Sequence, residues 1–180
     1  MASQEIPARL LVSLLAAEEA PRVQALRRLV ESWGPLVFLS RPLEFTHTDY
    51  YRAEMGGPLT RRLAAFRDLL PSWRLAEVKG ACQGLEHALA SAGQRLVNLD
   101  PGMLSAGALV LASHKPQGHR LALSPGVWGE LTLLFHHGEF HGLYWTYPDY
   151  ATDQMRRLLS GLRGRYLWQL QKERAQGAEP

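Results

Sequence analysis

The sequence predicts an α+β protein whose first half has the ferredoxin-like order βαββαβ, extended by an antiparallel β-meander and a C-terminal helix. Three observations lead to this prediction. Up to Gly93, apolar runs of strand length alternate with apolar positions at helical spacing. Short β-like runs separated by glycines and prolines follow, and a long amphipathic stripe closes the chain.

A buried strand, a helix and a second strand open the chain. LLVSLLAA (10–17) is short, apolar and ended by a pair of glutamates, which is typical of a buried strand. Pro21 suits a first helical turn, and apolar positions at helical spacing follow it until Gly34-Pro35 ends the helix. The apolar run 36–39 is the second predicted strand.

Two further elements complete the βαββαβ order together with the first run after Gly93. Residues 59–70 (LTRRLAAFRDLL) fit either a strand or a helix, and we take them as the third strand. The second helix follows, with an apolar stripe at positions 75, 78, 82, 85 and 89. Because Gly80 and Gly84 weaken a helix, its first turn is open to a strand as well.

The second half is predicted to be mainly sheet. Its strand-like runs are 95–99, 108–113, 120–124, 127–135 and 140–147. The connections DPGMLSAG, HKPQG, PG and HHGE contain the turn residues expected of hairpins. The final helix has one apolar face, formed by Met155, Leu158, Leu159, Leu162, Tyr166 and Leu170. A polar tail, predicted to fray, begins at residue 172.

The composition is that of an ordinary globular protein, and we expect one domain over residues 1–180. The 180 residues are 46% hydrophobic, which is enough for one core. A net charge of +3 is too weak a bias to predict a nucleic-acid partner. Cys82 is the single cysteine, which excludes an internal disulfide and predicts a buried thiol on the helical stripe. No run approaches the roughly 20 apolar residues of a membrane span, so we expect a cytoplasmic protein that does not bind membranes.

A first polar cluster, THTDYYRAEMGG, follows the second strand. Asp49 and Glu54 supply carboxylates, Tyr50 supplies an aromatic ring with a hydroxyl, and Gly56-Gly57 allows close backbone approach. The mixture suits the edge of a ligand site. The alternative is a polar loop with tyrosines that are half-buried and satisfied by their neighbours.

A second cluster, HKPQGHR (114–120), lies between two predicted strands. Lys115 and Arg120 combine a point charge with a planar fork, a pair that suits phosphate or carboxylate, and His119 lies beside them. Arg61 is a further candidate to hold the anion. The alternative for the cluster is a solvated turn between strands.

Three carboxylates fall at or near the predicted strands. Asp100 precedes Pro-Gly and either closes a turn through its own backbone or reaches into a cleft as a base or metal ligand. Glu130 interrupts an apolar run, so it faces water or lines a cavity. Asp149 lies in YWTYPDY, where Trp145 and Tyr147 suit a pocket mouth or, alternatively, a sealed core edge.

Missing motifs narrow the function. The sequence has no Walker-type G-x-x-x-x-G-K-[ST], no G-x-G-x-x-G and no G-x-S-x-G. Its histidines have neither HxH nor HExxH spacing, so they do not predict a metal site.

The stretches TDYYRAEMG, VNLDPG, HK-x-x-x-HR-x-x-L, GVWGELTL and WTYPDY together resemble a bacterial family known as domain of unknown function 4416, from about Pro7 to Tyr166. The resemblance implies an intracellular protein of one domain, and some members are labelled GTP-binding. The P-loop and the N-K-x-D motif that would support this label are missing. Met103 replaces a usual tyrosine and Cys82-Gln83 replaces a usual Thr-Asn, so this member can differ in ligand binding.

Two hypotheses follow. In the first, the protein binds an anionic or phosphorylated small molecule or a nucleotide, held by Lys115, Arg120 and Arg61. The carboxylates Asp100, Glu130 and Asp149 would bind Mg²⁺ or act as general acid and base, in phosphoryl or hydrolytic chemistry. In the second, the protein is a non-enzymatic module that binds RNA or a protein partner through its sheet face and basic last helix.

Overall fold

The computed structural model describes residues 6–46 and 51–177. The elements of the first half are β1 (Ala8–Ala16), α1 (Glu19–Trp33), β2 (Leu36–Leu39), β3 (Leu43–Glu44), α2 (Arg52–Met55), β4 (Thr60–Leu70) and α3 (Leu75–Ala88). The second half contains β5 (Asn98–Leu104), β6 (Ala108–Ser113), β7 (Arg120–Ser124), β8 (Val127–His136), β9 (Glu139–Gly142) and α4 (Asp153–Gly177).

The nine strands form one antiparallel sheet, which confirms the α+β class. The sheet order is β2-β4-β1-β5-β6-β8-β7, with β3 beside β4 and β9 beside β8. Residues 60–70 form a strand, as predicted, and α3 begins after a single 3₁₀ turn at Ser72–Arg74. The assignment of the first half to the ferredoxin-like fold stays a prediction.

The central strand β1 is buried on both faces, which accounts for its continuous apolar sequence. Leu10, Val12 and Leu14 belong to a core shared with α1 and α3. Leu11, on the other face, packs in a second core with Leu159 of α4. Helices therefore cover both faces of the sheet in its middle.

The strands after β5 do not form the predicted simple meander. In a meander β7 would lie between β6 and β8, but β8 lies between β6 and β7. At ten residues, β8 is long enough to pair with β6 along one edge and with both β7 and β9 along the other. Residues 114–119 therefore do not form a hairpin turn, because they cross from one side of β8 to the other.

Two predicted boundaries are wrong. The strand predicted at 95–99 instead covers Asn98–Leu104 and takes in Pro101, which lacks an N–H donor. The ladder between β5 and β6 includes only Gly102 to Leu104, so Pro101 lies just beyond its end. The strand predicted at 140–147 ends at Gly142, because the Thr146 hydroxyl accepts from the Leu143 amide at 2.7 Å and turns the chain.

Candidate functional site

The carboxylate of Glu130 lies inside the protein and is bound by one side chain from β7 and one from the segment before it. Glu130 faces Arg120 across the β7–β8 ladder, and its Oε2 lies 2.8 Å from Arg120 Nε and 3.0 Å from His119 Nε2. The side chains of Arg120 and Glu130 are 5% and 2% exposed. Of the two predicted alternatives for Glu130, solvent exposure is therefore wrong.

Every N–H of the Arg120 guanidinium meets a protein acceptor. Nε and Nη2 both lie 2.8 Å from Glu130 Oε2. Nη1 donates to Ser113 Oγ at 2.9 Å and to the Lys115 carbonyl at 2.7 Å, and Nη2 donates to Tyr147 Oη at 2.7 Å. Arg120 therefore holds the 113–119 segment and Tyr147 in place, and its fork is occupied without a ligand.

The aromatic residues near the Arg120–Glu130 pair differ in how exposed they are. The Trp145 ring stacks on His119 at 5.1 Å, and its Nε1 donates to the Leu131 carbonyl at 2.8 Å. Trp145 thus closes the edge of β8. Tyr147 remains 46% exposed while its hydroxyl is fixed by Arg120, so part of this residue is open to solvent.

Asp100 lies within β5, not in the turn that its Pro-Gly neighbours suggested. Its Oδ1 lies 3.2 Å from Lys79 Nζ, and its Oδ2 accepts from Asn98 Nδ2 at 2.7 Å. Lys79 is nearly buried and also donates to the Leu99 carbonyl at 2.9 Å. The carboxylate is 30% exposed and held from two sides.

The sheet divides beside Asp100. β5 pairs with β1 from Asn98 to Leu104, but with β6 only from Gly102 to Leu104. The stretch Asn98–Pro101 therefore has no ladder partner on its β6 side. Lys79 of α3 reaches the strand at this place.

Glu54 ties the short helix α2 to the same region. Arg95 donates to both Glu54 oxygens, at 2.7 and 2.6 Å, and to Asn98 Oδ1 at 3.0 Å. The hydrogen bonds from Arg95 hold the pKa of Glu54 below its ordinary value, and the Lys115 charge adds to this effect. Lys115 is exposed, so it supplies an ammonium at the rim near Glu54.

Hydrogen bonds connect Asp100 through Asn98 and Arg95 to Glu54. Burial raises the pKa of the Tyr51 and Tyr147 phenols, and the Asp100 charge raises both further. We call this group the Asp100 cluster; it comprises Tyr51, Glu54, Lys79, Arg95, Asn98, Asp100, Lys115 and Tyr147. Asp49 and Tyr50, also predicted to bind ligand, lie outside the described residues.

Arg61 and Asp149, the remaining candidates, form an ion pair next to the cluster. The Arg61 guanidinium contacts the Asp149 carboxylate, and its Cζ lies 5.0 Å from the ring centroids of both Phe45 and Tyr150. Both side chains line a cavity of about 60 Å³. Burial works against the Arg61 charge, but Tyr150, Asp149 and Asp100 raise its pKa, so Arg61 stays cationic.

The sequence analysis missed four polar members of this region: Lys79, Glu86, Arg95 and Asn98. The Glu86 carboxylate accepts a hydrogen bond from the Leu99 amide at 2.5 Å, and burial raises the pKa of Glu86. A signal was present in α3, because Lys79 and Glu86 are seven residues apart and flank its apolar stripe. Charged residues on the buried side of a helix need partners, and here β5 supplies them.

Metal ligands do not converge in the part of the chain that the structure describes. No group of three or more His, Cys, Asp or Glu side chains there is placed to hold a metal ion. Asp100, Glu130 and Asp149 are each paired with a different cation. The described residues therefore offer no three-ligand site to the Mg²⁺ that the sequence analysis considered.

Comparison with known proteins identifies the family. A family model described as domain of unknown function DUF4416 matches residues 6–166, nearly the whole chain. The chain belongs to this family. No curated protein and no solved structure matches it. Cys82 and Met103, where the resemblance implied departures from the family pattern, are buried in the core shared with α1 and α3.

Two other sequence predictions concern the thiol and the membrane. Cys82 is buried as predicted, and burial raises its pKa to about 12, so the thiolate is suppressed at neutral pH. Among the described residues of this DUF4416 member, no helix has the length and apolar character needed to cross a membrane.

Proposed function

We propose that the protein binds a small anionic metabolite, such as a phosphorylated sugar or a nucleotide, at the Asp100 cluster. The observation that carries this proposal is the division of the sheet at Asn98–Pro101, where β5 lacks a ladder partner on one side. Side chains from α2, α3, β5 and two loops lie around this stretch. Polar groups that converge where strands part are a usual setting for a ligand site.

The anion contact is Lys115. Lys115 is exposed and on the crossing segment whose backbone Arg120 fixes at 2.7 Å. An ammonium presented on a fixed backbone suits a phosphate or carboxylate.

Tyr147 supplies the ring for a base or sugar. Its hydroxyl is fixed by Arg120 at 2.7 Å, while nearly half of its surface remains open. Trp145, the other predicted stacking residue, has His119 on one face and Tyr144 at its edge. We propose binding without a chemical step, because each predicted catalytic carboxylate is engaged by a separate cation.

The RNA-binding alternative receives less support. Stacking of bases on the sheet needs an open aromatic face, but α4 packs through Leu159 and Leu162 over one face and α1 and α3 over the other. The α4 arginines also contact the protein itself. Arg163 lies 3.5 Å from the Phe135 ring centroid, and Arg165 lies 6.0 Å from that of Phe38.

A thermal-shift screen tests the proposal with AMP, GMP, CMP, UMP and ribose 5-phosphate, with and without Mg²⁺. A ligand that binds only the native state raises Tm, and at a hundred times its Kd it adds about 2.7 kcal/mol of stability. We expect at least one probe to raise Tm in the wild type. Lys115→Met should weaken its binding by about 10-fold or more, because it removes a charged hydrogen bond.

The matched control is Lys172→Met, which removes the same charge from α4, where Lys172 Nζ lies 5.3 Å from the Trp168 ring centroid. It should leave probe binding unchanged. If none of the probes raises Tm, or if both lysine variants bind equally well, the proposed site is wrong.

A further inference from the structure

The protein fills only about half of the hydrogen-bond acceptor positions of the Asp100 carboxylate. A carboxylate has room for about four hydrogen bonds, two on each oxygen. From the described residues, Oδ1 receives one from Lys79 and Oδ2 receives one from Asn98. One acceptor position therefore remains on each oxygen, and the carboxylate is 30% exposed.

The orientation of this carboxylate is set before any ligand arrives. Lys79 is anchored by the Leu99 carbonyl at 2.9 Å, and Asn98 is anchored by Arg95 at 3.0 Å. The two remaining acceptor positions therefore have a fixed direction, which favours a ligand with two donors of matching spacing.

Two buried hydroxyls lie on the same side as Asp100. Ser13 faces Asp100 directly across the β1–β5 ladder. Ser13 Oγ and Tyr150 Oη are both nearly fully buried, and Ser13 lowers the pKa of Tyr150 through a hydrogen bond, against the larger effect of burial. The two hydroxyls therefore belong to the polar surroundings of the carboxylate.

The charges around Asp100 define the chemistry of a group that can bind it. A second anion would be repelled by the carboxylate, and a cation would meet Lys79, whose pKa is raised although burial opposes it, because Asp100 and Glu86 favour its charge. Neutral hydroxyls fit both constraints. They can donate to the free acceptor positions of Asp100.

We propose that Asp100 binds two adjacent hydroxyl groups of the ligand, which is the vicinal diol of a sugar or nucleoside. Two neighbouring hydroxyls can each donate to one oxygen of a carboxylate, the chemistry by which acidic residues bind ribose hydroxyls in other nucleotide sites. The inference rests on the proposed function, in which Lys115 binds the anionic group of the same molecule.

Paired probes test the diol directly by isothermal titration calorimetry on the full chain. The pairs are AMP with 2′-deoxy-AMP and ribose 5-phosphate with 2-deoxyribose 5-phosphate, which separate a nucleoside source from a free sugar. In the wild type we expect the hydroxylated member to bind about 10-fold to 100-fold more tightly, because one hydrogen bond to a charged group is lost in the other.

The variant Asp100→Asn should bring the two Kd values of each pair within about 3-fold of each other, since a neutral amide replaces the charged acceptor. The ratio is measured within one preparation, and the wild-type comparison remains decisive if the variant does not fold. Equal binding of both members to the wild type, with Lys115→Met weakening both, would overturn the diol and leave the anion site intact. Discrimination that persists in Asp100→Asn would also overturn it. If no probe binds, both proposals fail together.

Discussion

At the scale of single residues, Glu130 shows how burial changes the meaning of a charge. An ionised carboxylate inside a sheet is costly unless it is paired and hydrogen-bonded. Arg120 meets this requirement with Nε and Nη2, and His119 adds a third contact. The pair fixes Tyr147 and the Lys115 backbone, so its stability and the proposed ligand site are connected.

Removing Glu130 should therefore destabilise the protein strongly. Glu130→Ala leaves the buried Arg120 charge without its partner, and we expect the free energy of unfolding to fall by about 3–5 kcal/mol. Urea unfolding monitored by circular dichroism measures this change. The double variant Arg120→Met with Glu130→Leu should lose less than Glu130→Ala, because neither charge then remains buried.

The control is a solvent-exposed ion pair on the protein surface. Arg28 and Glu31 of α1 lie 3.6 Å apart with side chains 72% and 65% exposed. Glu31→Ala should change the free energy of unfolding by no more than about 0.5 kcal/mol. Equal losses in Glu130→Ala and Glu31→Ala would show that the Arg120–Glu130 pair has no structural role.

At the scale of elements, β5 sets the geometry of the site. It pairs with β6 only over its last three residues, and side chains of α3 bind the unpaired edge at Leu99 beside Asp100. Gly102 stands at the point of closest approach. A Cβ there would lie 2.7 Å from Leu111 Cδ2 and 3.0 Å from the Val110 carbonyl oxygen.

A side chain at Gly102 should therefore force β5 and β6 apart. We expect Gly102→Ala to lower the free energy of unfolding by about 1–3 kcal/mol, as overpacking does in cores. Gly107→Ala is the matched control, since a Cβ at Gly107 meets nothing within 4 Å. Urea midpoints of the two variants provide the comparison, and indistinguishable midpoints would contradict the close approach.

Local patterns predict the elements where local preference and tertiary packing agree. The helical stripe of α3 and the apolar run of β1 are examples, because each is decided by its own periodicity. The prediction for β5 is wrong because DPGM carries strong turn signals, which pairing with β1 overrides along Asn98–Leu104. The position of β7 outside β8 depends on strand pairing between distant segments, which no local signal specifies.

At the scale of the whole molecule, the site is assembled from parts that are remote in sequence. Arg95 and Glu54 are 41 residues apart, and Lys79 and Asp100 are 21 apart. Their residue types suggested a polar site, and Asp100, Glu54, Lys115 and Tyr147 were selected on that basis. Their partners Lys79 and Arg95 were not selected. The sequence around a lysine on a helix or an arginine in a loop does not indicate which carboxylate it will pair with.

In the proposed function, a phosphorylated small molecule binds where β5 parts from β6. Hydrogen exchange measured by mass spectrometry, with and without saturating AMP or ribose 5-phosphate, tests this location most directly. We predict slower exchange in residues 98–100, 113–120 and 144–147, and no change in α1 (Glu19–Trp33). Protection that appears only in α1 or along α4, or no protection with either probe, would contradict the claim.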